Sequence, residues 1–256
     1  MFIDTHVHLN NPKLYKELDH YIAKAKAENV NVMIVIGYDH ETNQKAIEIA
    51  EKYPFIYASI GYHPTIAKDI LEKDFTLLEK LLKHPKVVAI GECGLDFYWD
   101  KDHVNEQISV FNKQIELSKQ YQLPIVIHMR DATEKTYLTL KDNTPDKGIM
   151  HCYSGSKEMA IKFIELGLHI SLGGPVTFLN AKTPKEVAEV VSLDNLLIET
   201  DAPYLAPHPY RGKQNDSSYL PLIAQAIADI KGIPIETVAL KTTENAVKLF
   251  NLKENE

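Results

Sequence analysis

Phe2-Ile3-Asp4-Thr5-His6-Val7-His8-Leu9 is an apolar, strand-like run that ends in two histidines one residue apart. Side chains alternate along a strand with period two, so His6 and His8 share a face and reach one point in space. A His-x-His pair alone is common by chance. Here the same arrangement recurs: Val87–Gly91 runs into Glu92, Pro124–Ile127 into His128, Gly148–Met150 into His151, and Leu196–Ile198 into Glu199-Thr200-Asp201. Histidine and carboxylate are common ligands of divalent metals, and a parallel barrel gathers side chains from distant sequence at its strand ends. His6, His8, Glu92, His128, His151 and Asp201 stand at corresponding points of one repeating pattern, which points to a metal-dependent active site.

The repeat extends along the chain. Strand-like segments fall at Phe2–Thr5, Val32–Ile36, Ile56–Ile60, Val87–Gly91, Ile125–His128, Ile149–Cys152, His169–Leu172 and Leu196–Glu199. Most are rich in Val and Ile on both parities, as a parallel sheet covered on both faces requires. Between and after them lie helix-like stretches at Lys13–Glu28, Thr42–Lys52, Phe75–Leu82, His103–Gln120, Ala132–Leu140, Lys157–Leu166, Pro184–Val191, Pro221–Ile230 and Ile235–Leu249. Gly167 follows Leu166 where a helix C-cap is wanted. The alternation fits either an open doubly wound sheet or a closed barrel. No GxGxxG follows the first strand, and candidate ligands come from both ends of the chain, whereas the first and last strands of an open sheet are rarely neighbours. The expected fold is therefore a single α/β domain over residues 1–256, a (β/α)8 TIM barrel.

Size and composition agree. The chain has 256 residues, close to the roughly 250 of a typical single barrel. A hydrophobic share of 45% and a charged share of 25% are ordinary for a globular protein. The formal charge of −7 argues against a broad basic surface wrapping many phosphates, though not against a local grip on nucleic acid. No stretch approaches a membrane span. No basic leader precedes Phe2-Ile3, and the only cysteines, Cys93 and Cys152, lack a CxxC spacing, so a reducing cytoplasm is expected.

Within the site, one carboxylate bridging two ions is expected of a binuclear centre, and Glu92 is the strand-end glutamate other than Glu199. Asp201 is suited both to ligate and to accept a proton from an attacking water. Glu199 and Asp201 are expected to face the mouth with Thr200 packing outward. Asp4 and Asp96 are candidates to orient the histidines.

The segments Met1–Leu9, Gly61–Pro64, Gly91–Asp100, Pro124–Ala132, His151–Gly155, Glu199–Pro207 and Pro209–Asn215 together resemble the TatD family of metal-dependent deoxyribonucleases, in order from residue 2 to about residue 250. The resemblance implies a barrel phosphoesterase with two divalent ions per subunit, Mg, Mn or Zn. It places His6, His8, Glu92 and Asp201 around one ion, and Glu92, His128 and His151 around the other. Cys93 stands where the family usually carries an apolar residue, and Asn215-Asp216-Ser217-Ser218 replaces the commoner Asn-Glu-Pro-Ala.

Four further residues are candidate substrate contacts. His63, after the third strand, is placed to donate to a phosphate oxygen, with a plain turn histidine as the alternative. Arg130 lies two residues after His128, and Arg211 and Lys213 lie in the loop after the eighth strand, where barrels often bind phosphate. Three cations beside such a centre suit a phosphodiester anion better than a neutral amide. Tyr98 and Trp99 are read as packing over the barrel rim, with stacking on a base as the alternative. The expected reaction is phosphodiester hydrolysis in DNA, at strand ends or in single strands. The rivals are ester hydrolysis on aminoacyl-tRNA, an amidohydrolase reaction, for which a modified lysine would be expected in place of Glu92, and a non-catalytic scaffold, which would have lost a ligand.

Overall fold

Valine and isoleucine lose side-chain freedom in a helix and pack well on a pleated surface, which is why these short runs extend. All eight expected strands form: β1 (Phe2–Val7), β2 (Val30–Ile36), β3 (Ile56–Ile60), β4 (Val87–Asp96), β5 (Ile125–Arg130), β6 (Gly148–Met150), β7 (Leu168–Leu172) and β8 (Leu196–Ile198). Each pairs in parallel with the next in sequence. The ring is completed where β1 meets β8. Val7 bridges Ala202 in parallel, the Asp201 N–H donates to the His6 carbonyl at 2.9 Å, and the His8 N–H donates to the Ala202 carbonyl at 2.8 Å. The arrangement is the (β/α)8 barrel and not the open sheet. The structure, a computed structural model, describes residues 1–252; residues 253–256 of the expected domain lie outside the described residues.

The helices are α1 (Pro12–Tyr15), α2 (Leu18–Ala27), α3 (His40–Lys52), α4 (Glu72–Leu81), α5 (Val104–Tyr121), α6 (Thr133–Asp142), α7 (Lys157–Glu165), α8 (Thr183–Val190), α9 (Leu220–Lys231) and α10 (Ile235–Phe250). The stretch expected as one helix over Lys13–Glu28 is two. Glu17 leaves helical geometry at φ −125°, ψ 39°, and the break lets Leu14 of α1 and Leu18, Ile22 and Ala25 of α2 all bury. Helix α4 begins before Phe75 because the Asp74 carboxylate accepts from the Leu71 N–H at 2.7 Å, satisfying a donor that the first turn leaves free. Helix α7 ends at Gly167 with φ +85°, the left-handed step a C-cap glycine supplies. Among the described residues no helix is long and apolar enough to cross a membrane.

Strand parity splits the core in two. Met33, Val35, Ala58, Ile60 and Ile127 pack outward with Ile47, Leu78, Phe111 and Phe163 of the helices. Val32, Ile34, Ile36, Tyr57, Val88, Val126, Ile149 and Leu197 form a separate cluster with Ala246, Leu249, Phe250 and Leu252. The second cluster fills the barrel interior, and the end of α10 closes the bottom. Polar side chains are left to the opposite end, where the strands finish.

Candidate metal centre

Two local irregularities aim the polar side chains into the mouth. On β1, Asp4 pairs with Met33 and Val7 with Val35, so three steps on one strand face two on its neighbour. On β4, Ile90 pairs with Ile125 and Cys93 with Ile127, again three steps against two. Each extra residue is a β-bulge, a device that re-aims a side chain, and the bulges fall at His6 and Glu92. The sequence reading put Glu92 at a strand end. It sits instead within β4, which continues to Asp96, because Gly91 (φ +130°) and Gly94 (φ +139°) let the strand bend and keep pairing. A Cβ at Gly94 would run into the His128 carbonyl, so only glycine permits that approach.

The six expected ligands converge. His6 Nε2 and His8 Nε2 lie 3.3 Å apart. Glu92 Oε2 lies 3.4 Å from His6 Nε2 and 3.8 Å from His8 Nε2, while Asp201 Oδ1 lies 3.6 and 3.3 Å from the same two nitrogens. The other Glu92 oxygen, Oε1, is 2.8 Å from His128 Nδ1 and 2.9 Å from His151 Nε2. The rings of His6 and His151 stack with centroids 4.0 Å apart, so the two groups share one cavity. Glu92 thus offers one oxygen to each.

Other residues hold this cluster. Asp96 Oδ2 sits 3.0 Å from His128 Nε2, as a histidine-orienting carboxylate should. Asp4 has a different role from the one expected of it. Its carboxylate accepts from the Thr200 hydroxyl at 2.6 Å, the Thr200 N–H at 3.0 Å and the His6 N–H at 3.4 Å, tying β1 to the segment after β8. Thr200 keeps the parity of Leu196 and Ile198 and packs outward, as expected, where it is buried against Asp4. The orienting role belongs to Glu199, whose Oε1 is 3.2 Å from His151 Nδ1. Its place two residues before Asp201 in a strand-end Glu-Thr-Asp was the available signal. His63 also enters the cluster, with Nε2 3.5 Å from Glu92 Oε1. The signal there was the same: an apolar strand, β3, running into Gly61-Tyr62-His63.

The electrostatics suit cations. Burial pushes the Glu92 carboxyl up, but the charge of His151 and hydrogen bonds from His128, His151 and His6 outweigh it and hold Glu92 well below the usual range. Asp201 behaves alike: burial raises it, and the hydrogen bond from His8 with the charges of His6 and His8 brings it below its ordinary value. Burial lowers His8, His128 and His151, yet the carboxylates around them raise all three above an ordinary histidine. His63 is pushed down to about 3, chiefly by burial. Among the described residues, His6 Nδ1 and Glu199 Oε2 are buried without a partner. Sets of three donors that fit around an ion occur at His6, His8 and Glu92, at His63, Glu92 and His128, and at His6, His151 and Glu199. Buried imidazole nitrogens and carboxylate oxygens held this close fit divalent cations, which replace the protons that otherwise separate them.

The expected substrate contacts lie further out. Arg130, Arg211 and Lys213 are exposed. The Arg130 guanidinium stands 3.8 Å over the Tyr98 ring, Arg211 4.4 Å over Phe178, and the Lys213 ammonium 5.7 Å from Tyr210. Asn215 is buried, its amide donating to the Thr200 and Tyr204 carbonyls at 2.8 and 2.6 Å, and so it braces this loop. Tyr98 and Trp99 do not pack over the rim; both are exposed.

Barrel and cluster together define a metal-dependent hydrolase. The family model described as TatD related DNase matches residues 3–251. The chain is 48% identical over 254 residues to the metal-dependent hydrolase YabD of Bacillus subtilis, covering 98% of this chain and 100% of that one. It is 35% identical over 260 residues to the metal-dependent hydrolase YcfH of Escherichia coli K12, covering 98% and 96%. The crystal structure of YjjV, a TatD homologue from Escherichia coli K12, superposes with a TM-score of 0.94 at 30% identity, over 98% of each chain. The chain belongs to the TatD family, and it is a metal-dependent hydrolase of that family.

Proposed function

We propose that this protein hydrolyses phosphodiester bonds in DNA, at strand ends or in single strands, with two divalent ions, Mg, Mn or Zn. The observation that carries this reading is the division of Glu92, one oxygen toward His6 and His8 and the other toward His128 and His151. One ion would be held by His6, His8, Glu92 and Asp201, the other by Glu92, His128 and His151. When bound, such ions make water more acidic and offset negative charge on the ester oxygens.

The protein's own groups account for the rest. Asp201 stays ionised beside His8 and takes the proton of the attacking water. Glu199 and Asp96 fix the rings of His151 and His128. Thr65 holds His63 Nδ1, its hydroxyl at 2.7 Å and its N–H donating at 3.3 Å, and so turns Nε2 toward the site, from where the Nε2–H form of the neutral imidazole donates to a phosphate oxygen. Arg130, Arg211 and Lys213 supply cations at the rim for flanking phosphates.

The test is turnover of metal-reconstituted protein on single-stranded DNA, duplex DNA, aminoacyl-tRNA and amide substrates. Cleavage of single-stranded DNA ahead of the others is expected. Turnover confined to aminoacyl-tRNA, or to amides, would overturn the DNA assignment in favour of that substrate.

A further inference from the structure

The turn that follows β4 carries the chain's single tryptophan into solvent. Trp99 is 67% exposed and Tyr98 53% exposed. Isolated apolar side chains on a surface are ordinary, but these two are held in place by the metal centre's own framework. The Tyr98 and Trp99 N–H groups both donate to Asp96 Oδ1, at 3.0 and 2.9 Å. The other oxygen of the same buried carboxylate faces His128 Nε2. The Asp96 N–H is fixed in turn by Gln107 Oε1 at 2.9 Å. Across the strand pair, the Phe97 N–H donates to the Arg130 carbonyl at 2.9 Å. The Arg130 guanidinium covers Tyr98 and lies 5.5 Å from the Trp99 ring, and the two aromatic rings stand perpendicular with centroids 5.0 Å apart. One carboxylate therefore sets both a clustered histidine and an aromatic–cation pair at the lip of the mouth.

Resting on the nucleic-acid reading above, we propose that Trp99, Tyr98 and Arg130 form a stacking subsite for one unpaired nucleobase beside the scissile ester. Arg130 braces Tyr98 and leaves the indole face of Trp99 open. Every base presents a π-face to such a ring, while the guanidinium meets the adjoining phosphate, so the subsite recognises a strand without reading its sequence. Bases paired within a duplex do not offer that face, and the subsite thereby favours single strands.

Trp99 is its own reporter. Metal-loaded protein is titrated with a short, hydrolysis-resistant phosphorothioate oligothymidylate carrying a distal dye. Tryptophan emission and dye anisotropy are followed together, and the anisotropy is repeated with Trp99→Ala, with Trp99→Phe and with an all-abasic strand of equal length. Quenching of the tryptophan with the same midpoint as the anisotropy is expected. Trp99→Ala should weaken binding by about 5- to 150-fold, the range spanned by stacking of one base, and Trp99→Phe should recover most of the loss. On the abasic strand the penalty for Trp99→Ala should disappear, since the two deletions remove one interaction. Binding without any change in emission, or an equal Trp99→Ala penalty on the abasic strand, overturns the subsite and leaves the nucleic-acid reading standing. A wild-type protein that neither binds nor cuts any oligonucleotide overturns that reading and the subsite with it.

Discussion

Glu92 is the residue on which both histidine pairs converge, and its removal tests the arrangement most directly. Glu92→Ala should deplete both ions and abolish turnover, whereas His128→Ala should loosen chiefly one; elemental analysis of the purified variants distinguishes the two, and unchanged metal content in the Glu92 variant would rule out a bridge. Asp201→Asn keeps shape and one oxygen but loses the charge and the proton acceptor. Turnover should fall by about 10²–10⁴-fold with a far smaller change in substrate affinity. Near-normal turnover would pass the proton-accepting role to another group. On the proposed reading, in which Arg211 meets a flanking phosphate, Arg211→Ala should raise KM and flatten the salt dependence of binding without touching the cluster. A fourth outcome concerns protons. His8, His128 and His151 hold theirs above the ordinary histidine range, and ligation requires the free nitrogen. Metal binding should therefore release protons, and apparent affinity should fall as pH drops, beginning above the ordinary histidine pKa. Calorimetry in two buffers of different ionisation enthalpy measures this; identical heats would show that the histidines were already neutral.

At the scale of elements, the bend in β4 decides where Glu92 points. Gly94→Ala would force a side chain onto the His128 carbonyl at a backbone angle that L-residues rarely adopt. It should cost at least about 1–3 kcal/mol in strain alone and weaken the ion near His128 more than the one near His6, as read from denaturant melts and metal content. This bend also marks how far the sequence was legible. Apolar runs on both parities located every strand, and the residues just after them located every member of the cluster. The run Val87–Gly91 appeared to stop at glycine, yet β4 continues because β5 lies alongside to pair with it, a fact of tertiary contact that local pattern does not carry. The same limit applies to Asp4 and Glu199. Both were visible as carboxylates near strand ends, but which histidine or threonine each meets depends on how β1 and β8 are brought together. The break at Glu17 was hidden because helical periodicity continues across it, and the exposure of Trp99 because nothing in the sequence says whether the rim is roofed.

Across the whole molecule, ions bound only by the folded barrel should stabilise it. At a free-ion concentration one hundredfold above the dissociation constant, each contributes about 2.7 kcal/mol, or roughly 5–10 °C in Tm for a chain of this size. Chelation should lower the melting temperature accordingly, and a Glu92→Ala variant should show little response. The join between β1 and β8 has a further consequence, one of timing. His6 leaves the ribosome before Asp201 and the backbone that clasps it, which follow 195 residues later, a delay of about 10–40 s at ordinary rates of synthesis. Until then the first strand lacks its final neighbour and the cluster lacks its last carboxylate. A nascent chain, surrounded by messenger and ribosomal RNA, is therefore without a complete centre until Asp201 has been made and has met β1.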